Sequence, residues 1–108
     1  MAAEPLLVGE CEEWQTETLD SFAPPQLTFL KIDVEGFEPL VLKGAVETIR
    51  RCRPTLLIEV NPYALSLFGS TADALMQQIR DLGYSDIREV FRYYDQNWDL
   101  LCKFPPQP

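Results

Sequence analysis

The sequence predicts an α/β fold, in which a parallel strand–helix–strand–helix unit is followed by an antiparallel β-hairpin. Two observations carry this prediction. Short, strongly apolar runs alternate with longer stretches in which apolar residues recur at helical spacing. The last two apolar runs are separated by a short polar turn instead of a helix, which is typical of a hairpin. With 108 residues, the chain is long enough for one small domain.

The first unit is a strand over residues 27–34 followed by a helix. The run LTFLKIDV is nearly continuous in apolar residues, which predicts a strand buried on both faces. Gly36 closes this strand, and from Phe37 the apolar residues recur at steps of three and four, as in a helix. Pro39 suits the first turn of that helix, and Pro54 ends it.

The second unit repeats this pattern. TLLIEV, at residues 55–60, predicts another buried strand, and the turn Asn61–Pro62 follows it. After an aromatic stretch, Ser70 or Thr71 can cap a helix over residues 72–82.

The C-terminal part predicts the hairpin. Residues 84–93 and 98–104 are strand-like and flank the polar turn Asp95–Asn97. The domain is therefore expected to cover residues 27–104, with an acidic N-terminal segment over residues 1–26 and a disordered tail over residues 105–108.

The charge of the chain excludes two classes of partner. Nine basic residues against seventeen acidic ones give a net charge of −8. Six of the acidic residues precede the first basic one, which is typical of a solvated segment. This balance argues against nucleic-acid binding and against adsorption to anionic membranes. No apolar run reaches the length of a transmembrane helix, and the N-terminus has the wrong charge for a signal peptide.

The cysteines and the absence of histidine predict the compartment and limit the chemistry. Cys11, Cys52 and Cys102 are an odd, widely spaced set without a CxxC pair, which predicts free thiols in a reducing cytoplasm. Without histidine, a zinc site is not expected, and no metal site is predicted. Catalytic pairs that need an imidazole are excluded too, so acid–base work falls to carboxylates or a lysine.

Candidate site residues follow from the strand ends. Ligands of open parallel sheets bind outside the carboxyl ends of the strands. The first strand ends at Asp33 and Glu35 and the second at Glu59 and Asn61, so these side chains converge if the strands are neighbours. Carboxylates held together need a cation or a hydroxyl-bearing ligand. Lys31 lies two residues before Asp33 and points to the same face, as an internal partner or a catalytic base.

Each candidate also has a structural interpretation. Polar residues at strand ends are often the first residues of loops, and Lys31 can be a buried ion-pair partner. Gly36 can simply provide a turn with positive φ. Trp14 and Trp98 can pack in the core instead of lining a pocket. The five glycines are too far apart for GxGxxG or a P-loop.

Four segments together are similar to one protein family. They are TLDSF at 18–22, KIDVEGFEPLVLKGA at 31–45, RPTLLIEVN at 53–61 and LGY at 82–84. The chain resembles, from Thr18 to Tyr84, the FkbM family of S-adenosylmethionine-dependent methyltransferases. The resemblance implies a seven-stranded Rossmann-like sheet and methyl transfer to hydroxyl groups of natural products or sugars. The predicted strands would correspond to the fourth to seventh strands of that sheet.

The resemblance also implies roles for the candidate residues. Asp33 and Glu35, with Lys31, would be the catalytic group, and Glu59 and Asn61 would bind the substrate. The cofactor S-adenosylmethionine is implied by resemblance only, and no residue can be assigned to binding it. The family's first three strands and their glycine-rich loop have no counterpart here, so the chain looks like the C-terminal half. Tight binding of the cofactor by the chain alone is therefore not expected.

Two functions remain open from the sequence. The chain can be half of a methyltransferase, completed by a second polypeptide that supplies the missing half. Alternatively, it can be a non-catalytic binding module that keeps the fold and assembles as a homodimer. Without a neighbouring first strand, residues 27–34 become an exposed apolar edge, which favours pairing with a partner. The N-terminal segment folding back over that edge is the alternative to a dimer.

Overall fold

The computed structural model describes residues 17–107, and this part of the chain forms a four-stranded mixed sheet with helices packed on one side. The strands are β1 (Phe29–Ile32), β2 (Thr55–Val60), β3 (Asp86–Tyr93) and β4 (Asn97–Lys103). Their spatial order is β1-β2-β4-β3. β1 and β2 are parallel, and β4 is antiparallel to both of its neighbours. The predicted α/β class and the C-terminal hairpin are confirmed.

The helices of the described residues lie between the strands and ahead of β1. They are α1 (Leu19–Phe22), α2 (Glu38–Lys43), α3 (Val46–Cys52), α4 (Pro62–Leu67) and α5 (Ala72–Asp81). α4 and α5 each begin at a side-chain cap, since Asn61 accepts from the Ala64 N–H and Thr71 from the Ala74 N–H. None of these helices combines the length and the apolar character needed to cross a membrane.

The helix predicted from Phe37 onward is divided into α2 and α3. The helix is divided because Asp20, in the segment before β1, binds the backbone between α2 and α3. The Gly44 carbonyl accepts a hydrogen bond from the Asp20 N–H at 2.9 Å. The Asp20 carboxylate in turn accepts from the N–H groups of Glu47 and Thr48, at 3.2 and 2.8 Å, and so caps α3. A single continuous helix was therefore the wrong expectation.

The sheet buries one face, not two. Alternate residues of β1 and β2 form the core with the helices; they are Leu30, Ile32, Leu56, Ile58 and Val60. The residues between them and their register partners on β4 are exposed or half-buried. We call this second side the open face; it carries Phe29, Lys31, Leu57, Glu59, Asp99 and Leu101. The prediction of strands buried on both faces is wrong, because the described helices cover only one side.

The part of the predicted acidic segment that the structure describes packs against the domain. Leu19 is buried, and Arg51 donates a hydrogen bond to the Pro24 carbonyl at 2.8 Å. The first sixteen residues of that segment, with Cys11 and Trp14, lie outside the described residues. Among the described residues, Cys52 and Cys102 form no disulfide.

Candidate functional site

The candidate site lies on the open face, at the carboxyl ends of β1 and β2. Ile32 is in register with Ile58, so the residues that follow, Asp33 and Glu59, lie side by side. Asp99 on β4 is the register partner of Glu59 on its other side. Carboxylates from three adjacent strands therefore meet in one row. The convergence of Asp33 and Glu59, argued above from the strand ends, is present in the structure.

Glu38 adds a fourth carboxylate that the sequence analysis did not single out. It is only 1% exposed, although it lies in the first turn of α2. Its Oε2 accepts from the Val34 N–H at 3.0 Å and its Oε1 from the Gly36 N–H at 2.9 Å. The signal that could have identified it is its place in the first helical turn, where a carboxylate can satisfy free backbone N–H groups.

The turn between β1 and α2 has an unusual backbone. Glu35 has φ of 51° and Gly36 has φ of 100°, so both lie in the left-handed region. A Cβ on Gly36 would lie 2.5 Å from the Ala64 carbonyl oxygen, so the turn packs directly on the backbone of α4. Glu35 itself is exposed at the rim of the site.

The electrostatics of the row centre on Glu59. Its pKa is raised to about 7, firstly because burial disfavours the charged form and secondly because the negative charge of Asp33 lies close. Glu35 and Asp99 add to this repulsion, whereas the Asn97 amide, which donates to Glu59 Oε2 at 3.1 Å, partly offsets it.

The hairpin contributes the other side of the site. Burial also raises the pKa of Asp99, with the charge of Asp33 adding to the effect. The Tyr93 hydroxyl donates to Asp99 Oδ2 at 3.4 Å, and this contact opposes the rise. Lys31 lies near enough to lower the Asp99 pKa, but among residues 17–107 it forms no salt bridge. Lys31 is thus a neighbour of the acidic row without a direct ion-pair contact.

Asn61, at the end of β2, caps the helix that follows it. Its side-chain oxygen accepts from the Ala64 N–H at 3.1 Å and caps α4. The predicted site residues therefore divide into three groups. Asp33 and Glu59 meet in the row, Lys31 and Glu35 flank it, and Asn61 shapes the helix beside it.

The carboxylates could hold a metal ion. One oxygen each of Asp33, Glu38 and Glu59 lies within 4.8 Å of the others. An all-oxygen set of this kind suits a hard divalent cation such as Mg²⁺ or Ca²⁺. Both oxygens of Glu38 already accept backbone hydrogen bonds, so Asp33 and Glu59 are the two members with more freedom to turn toward an ion.

An α/β sheet with acidic side chains at the carboxyl ends of its parallel strands is typical of enzymes that bind a ligand at that edge. The comparison with protein families gives the particular family. The Methyltransferase FkbM domain matches residues 6–85. The chain belongs to this family, and the resemblance noted from the sequence motifs is confirmed. No curated protein and no solved structure matches the chain.

Family membership implies S-adenosylmethionine, and the described residues do not fit it by themselves. A donor of this kind is commonly held by free backbone N–H groups in a glycine-rich turn after a strand. The turn after β1 contains one glycine, and its N–H is already bound to Glu38. A side chain at that glycine would meet the α4 backbone, so the turn packs on protein instead of facing a ligand.

Proposed function

We propose that this chain provides the methyl-acceptor side of an S-adenosylmethionine-dependent O-methyltransferase. The observation that carries the proposal is Glu59, a half-buried carboxylate with a pKa near 7 between Asp33 and Asp99. A carboxylate whose pKa lies near neutral is a better general base than an ordinary one, and at neutral pH both its charged and its protonated form are present.

Each carboxylate has a distinct role in this proposal. Glu59 accepts the proton of the acceptor hydroxyl, whose oxygen thereby becomes nucleophilic. Asp33, which is exposed at the end of β1, accepts a hydrogen bond from the same or a neighbouring hydroxyl and orients the acceptor. Glu35 lies at the rim, and its charge helps to keep the Glu59 pKa high.

The order of the strands supports the same assignment. The last strand of the hairpin, β4, lies between β2 and β3. This is the arrangement that the family resemblance implies for the fourth to seventh strands of a Rossmann-like methyltransferase sheet. On that mapping β1 is the fourth strand, and its free edge is where the first strand of a complete sheet would pair.

Calorimetric titration with S-adenosylmethionine and S-adenosylhomocysteine tests the donor side of this proposal. We expect no dissociation constant below about 1 mM, because the described residues offer no set of free backbone N–H groups that could hold the methyl donor. A second polypeptide that carries the donor site would then restore binding. Micromolar binding to the purified, folded chain would contradict this division and assign the donor site to the chain itself.

A second candidate function is a non-catalytic module that acts as a homodimer, and the edge of the sheet favours it. β1 is the outer strand, and no described strand pairs with its free edge. An antiparallel pairing of two copies centred on Ile32 would place Lys31 opposite the partner's Asp33, and both lie on the open face. Opposite charges across a strand pair stabilise it, and such a pairing is two-fold symmetric.

Light scattering coupled to size exclusion at low micromolar concentration tests the dimer. We expect a mass of twice 12.4 kDa for the wild type. Lys31→Asp is expected to shift the chain toward the monomer, since like charges would face each other, and the double variant Lys31→Asp with Asp33→Lys is expected to restore the dimer. A monomeric wild type with protected β1 amides would exclude edge pairing.

A further inference from the structure

Glu38 is the one charged side chain that is buried within residues 17–107. Its carboxylate points back from the first turn of α2 to the backbone of the preceding turn. There it accepts two hydrogen bonds, from the N–H groups of Val34 and Gly36. A buried carboxylate is costly unless its hydrogen bonds are satisfied, so both partners are needed to keep it there.

These two N–H groups belong to the peptide groups that directly follow Asp33 and Glu35 in the chain. The Val34 N–H shares a planar peptide group with the Asp33 carbonyl, and the Gly36 N–H shares one with the Glu35 carbonyl. Holding both planes fixes ψ of Asp33 and ψ of Glu35. Glu35 has φ of 51°, a strained conformation for a non-glycine residue that needs support from its surroundings.

We propose that Glu38 is a positioning residue of the acceptor site, which holds the Asp33–Val34 and Glu35–Gly36 peptide planes and thereby holds Asp33 against Glu59. The role in an acceptor site rests on the proposed function, whereas the contact between Glu38 and the turn is given by the two hydrogen bonds. The pKa of Glu38 is raised by burial, while the bonds from Val34 and Gly36 act in the opposite direction and favour the charged form.

The direct test is Glu38→Gln, studied by NMR. A carboxamide offers one acceptor oxygen where the carboxylate offers two, so one of the two N–H groups loses its partner. We expect the amide of Val34 or of Gly36 to exchange roughly tenfold faster than in the wild type. The Cα shift and the amide–Hα coupling of Glu35 are expected to move away from left-handed values, and nuclear Overhauser contacts between the Asp33 and Glu59 side chains are expected to weaken.

The chain offers a matched control in Asp20→Asn. Asp20 is also a carboxylate that accepts two backbone N–H groups, those of Glu47 and Thr48 at the start of α3. Its substitution makes the same chemical change away from the turn. We expect a loss of stability with unchanged Glu35 signals and unchanged Asp33–Glu59 contacts. A merely stabilising role for Glu38 would make the two variants behave alike.

The wild type provides a second measurement if Glu38→Gln fails to fold. Scalar couplings across the hydrogen bonds should connect the Val34 and Gly36 amide nitrogens to the Glu38 carboxyl carbon. Their absence would overturn the proposal, as would a folded Glu38→Gln variant with unchanged Glu35 signals. These experiments use no methyl donor or acceptor, so their failure is distinguishable from a failure of the proposed function.

Discussion

Replacing Gly36 by alanine is expected to lower the free energy of unfolding by about 3 kcal/mol or more, or to prevent folding. The new Cβ would lie 2.5 Å from the Ala64 carbonyl oxygen and 2.8 Å from its carbonyl carbon. Both atoms belong to the backbone of α4, whose first turn is fixed by the Asn61 cap, so neither can move cheaply. The φ of 100° adds strain, because alanine rarely adopts it.

Gly69→Ala is the matched control for this variant. Gly69 also has a positive φ, 75°, but no atom lies within 4 Å of the position where its Cβ would be. We expect a loss of only about 1 kcal/mol, from the backbone conformation alone. Urea unfolding followed by circular dichroism compares the two. Equal losses would show that the contact between the turn and α4 is not as close as the structure has it.

Replacing Glu59 by glutamine is expected to stabilise the domain at pH 8 and to have little effect at pH 4. The ordinary glutamate pKa is 4.5, and that of Glu59 in the fold is about 7. Below pH 4.5, the side chain is protonated in both the folded and the unfolded state, so it does not reduce the stability of the domain. Between the two values the unfolded chain releases the proton that the folded chain retains, so stability falls as pH rises. Above pH 7, the loss is complete.

The expected change in the free energy of unfolding follows from the pKa shift of Glu59, reduced for screening by solvent. A fully buried group would convert such a shift into about 3 kcal/mol. Glu59 is half-buried, and solvent screening reduces the expected loss to about 1–2 kcal/mol. Glutamine keeps an oxygen that can accept from Asn97, so the hydrogen bond need not be lost. A variant that is equally destabilised at pH 4 and pH 8 would contradict this explanation.

Local sequence signals predicted those elements that begin or end at a proline, a turn or a helix-capping residue. The strand expected over residues 55–60 is β2, because Pro54 and the Asn61–Pro62 turn delimit it. The helix expected over residues 72–82 is α5, and of the two capping candidates it is Thr71 that accepts the Ala74 N–H. The juxtaposition of Asp33 and Glu59 was also predictable, since neighbouring parallel strands end at the same edge.

Other features depend on contacts between distant residues, which local patterns do not encode. The division of α2 from α3 is fixed by Asp20, more than twenty residues earlier in the chain. Asp99 joins the acidic row because β4, not β3, pairs with β2. Glu38 was overlooked because a glutamate in a first helical turn is ordinarily exposed, whereas here the turn folds over its carboxylate.

A carbon-detected NMR titration of the Asp33, Glu59 and Asp99 carboxyl groups determines whether these three groups form one electrostatically coupled site. We expect the Glu59 carboxyl to titrate near pH 7 in the wild type. In an Asp33→Asn variant its midpoint should fall, because the Asp33 charge is the largest of the neighbouring charges that raise it. A Glu59 midpoint at the ordinary glutamate value, unchanged by the Asp33 substitution, would contradict this coupling.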